Sequence, residues 1–187
     1  MHHDMTPPIW GLLQVFTGNG KGKTTASLGT AMRAAATGKR VAIVYFDKGG
    51  ETHYSERDLI RQRIPEIELF PTGLDRIDPI TNKFRFGVTP EDEAEGQRGL
   101  EIVKKLFQEQ KHALIILDEI NSSTELGIVK ETEVLTILDQ RPKGIELILT
   151  GRNAPSSFKE RADLVTEMTL EKHYFYNGVM AREGIDY

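Results

Sequence analysis

Apolar residues gather along this chain in short, nearly continuous runs set between longer stretches of mixed character. LLQVF (12–16), VAIVYF (41–46), ALIILD (113–118) and IELILT (145–150) are rich in β-branched and large aliphatic residues. Such runs predict strands buried on both faces of a parallel sheet. Weaker runs at EIELF (66–70) and LVTEMTL (164–170) predict two more. Helix signals fill the intervals. TTASLGTAMRAAATG (24–38) is rich in helix formers and stops at Gly38, a residue suited to a C-terminal cap. TPEDEAEGQRGLEIVKKLFQEQ (89–110) opens on Thr89, with Pro90 in the first turn and acidic residues near the start. ETEVLTILDQ (131–140) predicts a third helix, ended by Arg141 and Pro142.

Alternation of strand and helix predicts an α/β domain with a mainly parallel central sheet of about six strands and right-handed crossovers. No internal repeat, low-complexity segment or long linker divides the 187 residues. One domain with one active site is therefore expected over 1–187, with 1–10 as a flexible arm. The stretches 49–56 and 72–88 read as long loops, which in such sheets often carry substrate.

Composition narrows the chemistry. A formal net charge of -4 argues against a general electrostatic grip on nucleic acid. The absence of cysteine removes disulfides, thiolate metal sites, iron–sulfur clusters and cysteine nucleophiles, so redox chemistry must use a bound cofactor or an outside donor. MHHDMTPPIWG has no secretory pattern and no run approaches the length that spans a bilayer, so a cytoplasmic enzyme without a membrane partner is expected.

The first predicted strand runs into Thr17-Gly18-Asn19-Gly20-Lys21-Gly22-Lys23-Thr24. The phosphate-loop pattern G-x-x-x-x-G-K-[ST] fits this frame except at its first glycine, where Thr17 stands. The mechanism survives the exception. Glycines let backbone N–H groups turn toward phosphate oxygens, a helix N-terminus adds partial positive charge, Lys23 supplies a full one, and Thr24 offers its hydroxyl to Mg2+. At the end of ALIILD, Asp118 and Glu119 stand at the carboxyl edge of the sheet, where they read as the acidic element that holds or orients Mg2+ beside Thr24. Arg152, in LTGRNAP, lies beyond another strand at the same predicted edge, where it either meets phosphate or forms a surface salt bridge. Arg33, within the first helix, faces either a neighbouring helix or a phosphate. A nucleoside triphosphate and Mg2+ site follows, but not a choice among hydrolysis, phosphoryl transfer and another use of ATP.

A resemblance narrows that choice. TGNGKGKTT, ERDLI, LDE, RP followed by LTGR, ADLVTEM, KHYFYNGV and the terminal GIDY occur in the order seen in ATP:corrinoid adenosyltransferases of the CobA/CobO/BtuR type. The match runs from residue 11 to 187, and the loop with threonine at its first position resembles the form that family carries. The resemblance implies a P-loop, RecA-like three-layer sandwich in which Co(I) of a reduced corrinoid attacks the 5′ carbon of ATP and expels the whole triphosphate. By motif position it implies that Gly18, Asn19, Gly20, Lys21, Gly22, Lys23, Thr24 and Thr25 cradle phosphate, with Arg33 and Arg152 as further phosphate contacts. Thr24, Asp118 and Glu119 would serve Mg2+, and Lys23, Thr24 and Glu119 would be the catalytic set. It further implies an external flavoprotein-type reductant and a homodimer.

The sequence departs from the family at three places. Relatives often carry an aromatic pair in the loop after the third strand that helps displace the lower cobalt ligand; here Leu74, Asp75 and Arg76 occupy it, with Phe84 and Phe86 downstream. An aromatic pair at 74 and 76 is accordingly expected to improve the use of complete cobalamin. The segment before Gly11 is short, which implies a more open site, and INSSTELGIV (120–129) lacks the relatives' aromatic and aspartate-rich character. His173, in the matched KH, is expected at a ligand, at a subunit contact or packed near the chain end, whereas His2 and His3 read as part of a mobile terminus and His53 as a loop residue without metal-ligand spacing. A phosphate-loop ATPase or small-molecule kinase, and a nucleotide- or corrinoid-binding protein of low turnover, are the competing readings.

Overall fold

A computed structural model describes residues 10–50, 54–76 and 85–186. His2, His3, His53, Phe84 and Tyr187 lie outside the described residues, as do parts of the expected loops. In chain order the elements are β1 (Leu13–Thr17), α1 (Lys23–Ala35), β2 (Val41–Tyr45), α2 (Ser55–Arg63), β3 (Ile67–Pro71), α3 (Pro90–Glu109), β4 (Leu114–Asp118), α4 (Ile120–Glu125), α5 (Glu131–Asp139), β5 (Glu146–Thr150), α6 (Ser156–Arg161) and β6 (Leu164–Glu167), followed by a 3₁₀ turn at Tyr174–Asn177.

The strands form one six-stranded sheet in the order β3-β2-β4-β5-β1-β6, and every described pairing is parallel. Successive side chains of a strand point to opposite faces, and here both faces are covered. Ala42, Val44, Ile115, Leu117, Leu147 and Leu149 pack with Leu100, Val103 and Leu106 of α3 and Val134 and Ile137 of α5. Their neighbours Val41, Ile43, Leu114, Ile116 and Ile148 pack with Ala31, Ala34 and Ala35 of α1 and Ile60 of α2. Two apolar clusters on either side of one sheet make the three-layer α/β sandwich. β2 and β4 are buried at all five positions, which explains their unbroken apolar sequence, whereas β6 is exposed at all four and forms an edge.

Both ends of the helices follow local chemistry. Thr89 caps α3 through a reciprocal box: its hydroxyl accepts from the Asp92 amide at 3.4 Å while the Asp92 carboxylate accepts from the Thr89 amide at 2.8 Å. α1 ends at Ala35, three residues before Gly38, which turns the chain with φ 75° and donates its amide to Ala35 O at 2.8 Å. The expected loop at 49–56 ends in α2, which begins at Ser55, and the short α4 and α6 have no counterpart in the sequence pattern. Among the described residues no helix is long and apolar enough to cross a membrane.

Candidate active site

β1 delivers its last residue, Thr17, in extended backbone at 4% exposure, where the hydroxyl oxygen accepts from the Ala154 amide at 3.1 Å. A strand residue needs no glycine, so the first position of the general pattern tolerates threonine here. The following glycines each answer a separate demand. Gly18 has φ 95°, and a Cβ there would lie 2.4 Å from Met168 O. Gly20 donates its amide to Met168 O at 2.6 Å, so close that a Cβ would lie 2.7 Å from the Met168 carbonyl. Gly22 has φ 113° directly before α1. Lys23 then opens the helix, and its ammonium donates to the Gly18 and Gly20 carbonyls, both at 2.8 Å. Burial lowers the Lys23 pKa from its ordinary value; nearby Glu119 pulls the other way.

β4 ends at Asp118, whose residue is wholly buried. Its carboxylate accepts from the Thr150 hydroxyl at 2.6 Å, from the Thr24 hydroxyl at 3.1 Å and from the Lys48 ammonium at 2.6 Å. Glu119 follows with φ 62°, an uncommon backbone state for a residue with a side chain, and is held there by its amide donating to Thr150 Oγ1 at 3.0 Å. Ser122 donates to one Glu119 oxygen, while the other lies 3.3 Å from Lys48 Nζ. Parallel pairing of β2 with β4 brings Lys48 to this cluster. Sequence reasoning overlooked Lys48, although it lies just beyond an apolar strand at the same sheet edge that singled out Asp118.

These groups border a cavity of about 630 Å³, a size that accommodates a small-molecule ligand. Residues 19–25 of the loop line it together with Lys48, Glu119 and Arg152. Gly18 and Asp118 stand behind that lining, tied to it through Lys23 and Thr24. The opposite wall comes from the chain end, where His173, Tyr174, Phe175 and Ile185 face the loop. Lys21 fastens this wall, donating to Ile185 O at 2.6 Å and lying 3.3 Å from Asp186. Asp186 also receives the Tyr174 hydroxyl and Arg182, and those bonds hold its carboxyl well below the usual carboxylate range. His173 caps the 3₁₀ turn, its Nδ1 accepting from the Phe175 amide at 3.1 Å.

The donor set at the acidic edge is a hydroxyl and two carboxylates, all hard oxygens. Among the described residues no group of three or more His, Asp or Glu side chains is arranged to hold a metal. That sparse oxygen set fits Mg2+, which takes one or two carboxylates and completes its shell with water and phosphate.

A sequence model of the family described as ATP:corrinoid adenosyltransferase BtuR/CobO/CobP matches residues 10–187. The chain belongs to this family. It is 35% identical over 177 residues to the corrinoid adenosyltransferase of Escherichia coli K12, covering 95% of this chain and 86% of that one. It is 36% identical over 177 residues to corrinoid adenosyltransferase CobA of Salmonella typhimurium, with the same coverage, and 35% identical over 179 residues to a Sinorhizobium corrinoid adenosyltransferase, covering 95% of this chain and 80% of that one. The crystal structure of the RadB recombinase superposes with a TM-score of 0.54 at 20% identity, covering 88% of this chain and 77% of that one, a likeness of fold.

Two sites expected of an ATP:corrinoid adenosyltransferase look different in three dimensions. Arg33 lies exposed in the last turn of α1, outside the cavity lining, ten residues from Lys23 and thus about 15 Å along the helix axis. Helix geometry therefore keeps it apart from the loop that Lys23 closes. Leu74, Asp75 and Arg76 also lie outside the lining, and Phe86 is 85% exposed. Arg76 is buried and committed elsewhere: its Nε donates to Asp47 at 2.7 Å and its Nη1 to Gly87 O at 2.7 Å. Arg85 pairs with Asp92 through two bonds of 2.8 and 2.7 Å and holds that carboxyl down to about 2. These charges tie Arg76 to the residues just after β2 and Arg85 to the start of α3.

An aromatic side chain at 76 would leave the half-buried Asp47 carboxylate without its partner. Arg76→Trp is accordingly expected to cost about 1–3 kcal/mol of stability through the lost charge-assisted bonds, not to improve the use of cobalamin. Urea unfolding measures it, and an unchanged midpoint would show that the pair contributes nothing.

Proposed function

We propose that this chain transfers the 5′-deoxyadenosyl group of ATP to the Co(I) centre of a reduced corrinoid and releases triphosphate, a reaction of adenosylcobalamin biosynthesis or salvage. The observation that carries the proposal is the family match over residues 10–187, within which the phosphate loop and Glu119 border one cavity and Asp118 stands directly behind it, bonded to Thr24. In the reaction the cobalt electron pair forms the Co–C5′ bond, the C5′–O bond breaks, and its electrons leave on the triphosphate oxygen. Negative charge therefore develops on the leaving group. Lys23, Lys21 and Arg152 border the cavity from the loop and the end of β5, where they stabilise that charge and hold ATP with C5′ open to attack. Mg2+ supplies further charge neutralisation, and Thr24, Asp118 and Glu119 are the residues that would hold it.

The family resemblance implies an external, flavoprotein-type donor of electrons to cobalt, with which a cysteine-free chain is consistent, and a cytoplasmic setting belongs to the same proposal. A homodimer is part of the same proposal. Edge strand β6 exposes Leu164 and Val165, and the chain end exposes Tyr176 and Met180, apolar side chains of the kind a second copy covers.

Incubation with ATP, Mg2+ and chemically reduced corrinoid tests the reaction. Adenosylated corrinoid and tripolyphosphate should appear in equal amounts. ADP and phosphate without a cobalt–carbon bond would instead return the chain to the ATPase or kinase reading that the phosphate loop leaves open.

A further inference from the structure

Lys48 contacts three oxygens, one from α1 and two from consecutive residues at the end of β4. Its ammonium lies 2.6 Å from Asp118 Oδ2, 3.0 Å from Thr24 Oγ1 and 3.3 Å from Glu119 Oε1. These belong to the same three residues that the proposed function assigns to Mg2+. Lys48 is also far from a loose surface lysine. Its amide donates to Thr72 O at 3.1 Å, and its carbonyl accepts from Arg57 Nη2 at 2.8 Å. Arg57 is 1% exposed, donates a second bond to Gly50 O at 3.0 Å, and lies 4.2 Å from the Tyr45 ring and 3.7 Å from the Tyr54 ring. Gly49 packs so tightly that a Cβ would lie 2.0 Å from Gly73 O. On the other flank Asp47, with φ 50°, is held by Arg76. Two buried arginines and a crowded glycine thus fix the backbone that aims one ammonium at the acidic pair.

Electrostatics favours that position. The ammonium stands between two carboxylates, 2.6 Å from Asp118 and 3.3 Å from Glu119, in a position where a cation is attracted by both. A divalent cation bonded to Thr24, Asp118 and Glu119 could not share those oxygens with an ammonium at hydrogen-bonding distance without strong like-charge repulsion.

We propose that Lys48 is a built-in counter-ion: it occupies the cation position of Asp118 and Glu119 in the nucleotide-free protein and is released toward the triphosphate when ATP brings in the metal. The inference rests on the Mg2+ reading above. It makes metal binding conditional on nucleotide, because the bare carboxylate pair is already neutralised and the incoming triphosphate gives the displaced ammonium a new anion.

Mn2+ binding, followed by electron paramagnetic resonance with and without ATP, tests this independently of turnover. Lys48→Met is expected to raise ATP-free Mn2+ affinity by about tenfold or more, because a competing charge is gone, while Lys48→Arg, which keeps the charge, stays near wild type. A merely structural lysine would not strengthen metal binding on removal. Lys48→Gln carries the same expectation and keeps polar contact with Asp118, should the Met variant melt before the measurement. Unchanged or weaker ATP-free binding in the neutral variants, with normal Mn2+ uptake by wild type in the presence of ATP, would overturn the counter-ion role and leave the metal site standing. No Mn2+ uptake by wild type even with ATP would remove the metal reading and this inference together.

Discussion

Lys23→Ala is expected to lower kcat for adenosyl transfer by about 10²–10³-fold, the usual effect of removing one fixed donor from a developing negative charge. The ammonium stands at the first residue of α1, where the helix N-terminus and the loop converge on the cavity. It is anchored by the Gly18 and Gly20 carbonyls, so little reorganisation is needed when charge develops on the leaving triphosphate. The loss should fall on kcat more than on the KM for ATP, because the charge it meets is greatest in the transition state. Decay of the Co(I) absorbance at saturating ATP reads it directly, and a wild-type kcat would refute the role.

The pH dependence has a definite sign. Catalysis needs the charged form, and burial places the Lys23 pKa below the ordinary 10.5. kcat/KM, which reports groups of the free enzyme, is therefore expected to fall on the alkaline side earlier than for an exposed lysine, and a pH profile of kcat/KM checks it. Stability moves the opposite way. In the window between the lowered value and 10.5 the unfolded chain binds more protons at this site, so its contribution to folding stability rises with pH.

Gly20→Ala carries the second large effect, and through space instead of charge. A Cβ would lie 2.7 Å from the Met168 carbonyl carbon and oxygen and from Thr169 O, all backbone atoms that no rotamer change can clear. Either the loop or the segment leaving β6 must move, and the 2.6 Å bond from the Gly20 amide to Met168 O is lost with it. Overpacking of this kind costs about 1–3 kcal/mol. The segment beyond Met168 leads to His173, Ile185 and Asp186, the far wall of the cavity, so binding suffers together with stability. The ATP Kd is expected to rise roughly tenfold, the equivalent of about 1.4 kcal/mol. Calorimetric titration with ATP and a thermal melt on the same sample check both halves. A variant with unchanged affinity and melting temperature would show that the two backbones separate freely.

Much of the fold was legible along the chain. Each strand lies in or against a predicted apolar run, because a strand covered on both faces must be apolar at consecutive positions. α3 was legible from Thr89 and Pro90, whose capping is a local matter. α2 was not, since SERDLIRQR buries Arg57 and Ile60 and so shows no apolar stripe at helical spacing. α4 and α6, with six residues each, hold fewer than two turns and leave too little sequence for a period to show.

The candidate site divides along the same line. Apolar runs, the glycine spacing of residues 18–24, the carboxylates at the end of β4 and the family itself were determined by the sequence, because each depends on residues that are neighbours in the chain or on their order along it. Only the tertiary structure decided which distant charges meet. It set Lys48 on Asp118, 70 residues away, Arg76 on Asp47 and Lys21 on the chain end, and it kept Arg33 out of the cavity. The physical reason is the strand order β3-β2-β4-β5-β1-β6, which lays β2 beside β4 and carries the residues after each strand to one edge. Local patterns set what each segment becomes; the pairing of buried charges depends on which segments the sheet makes adjacent.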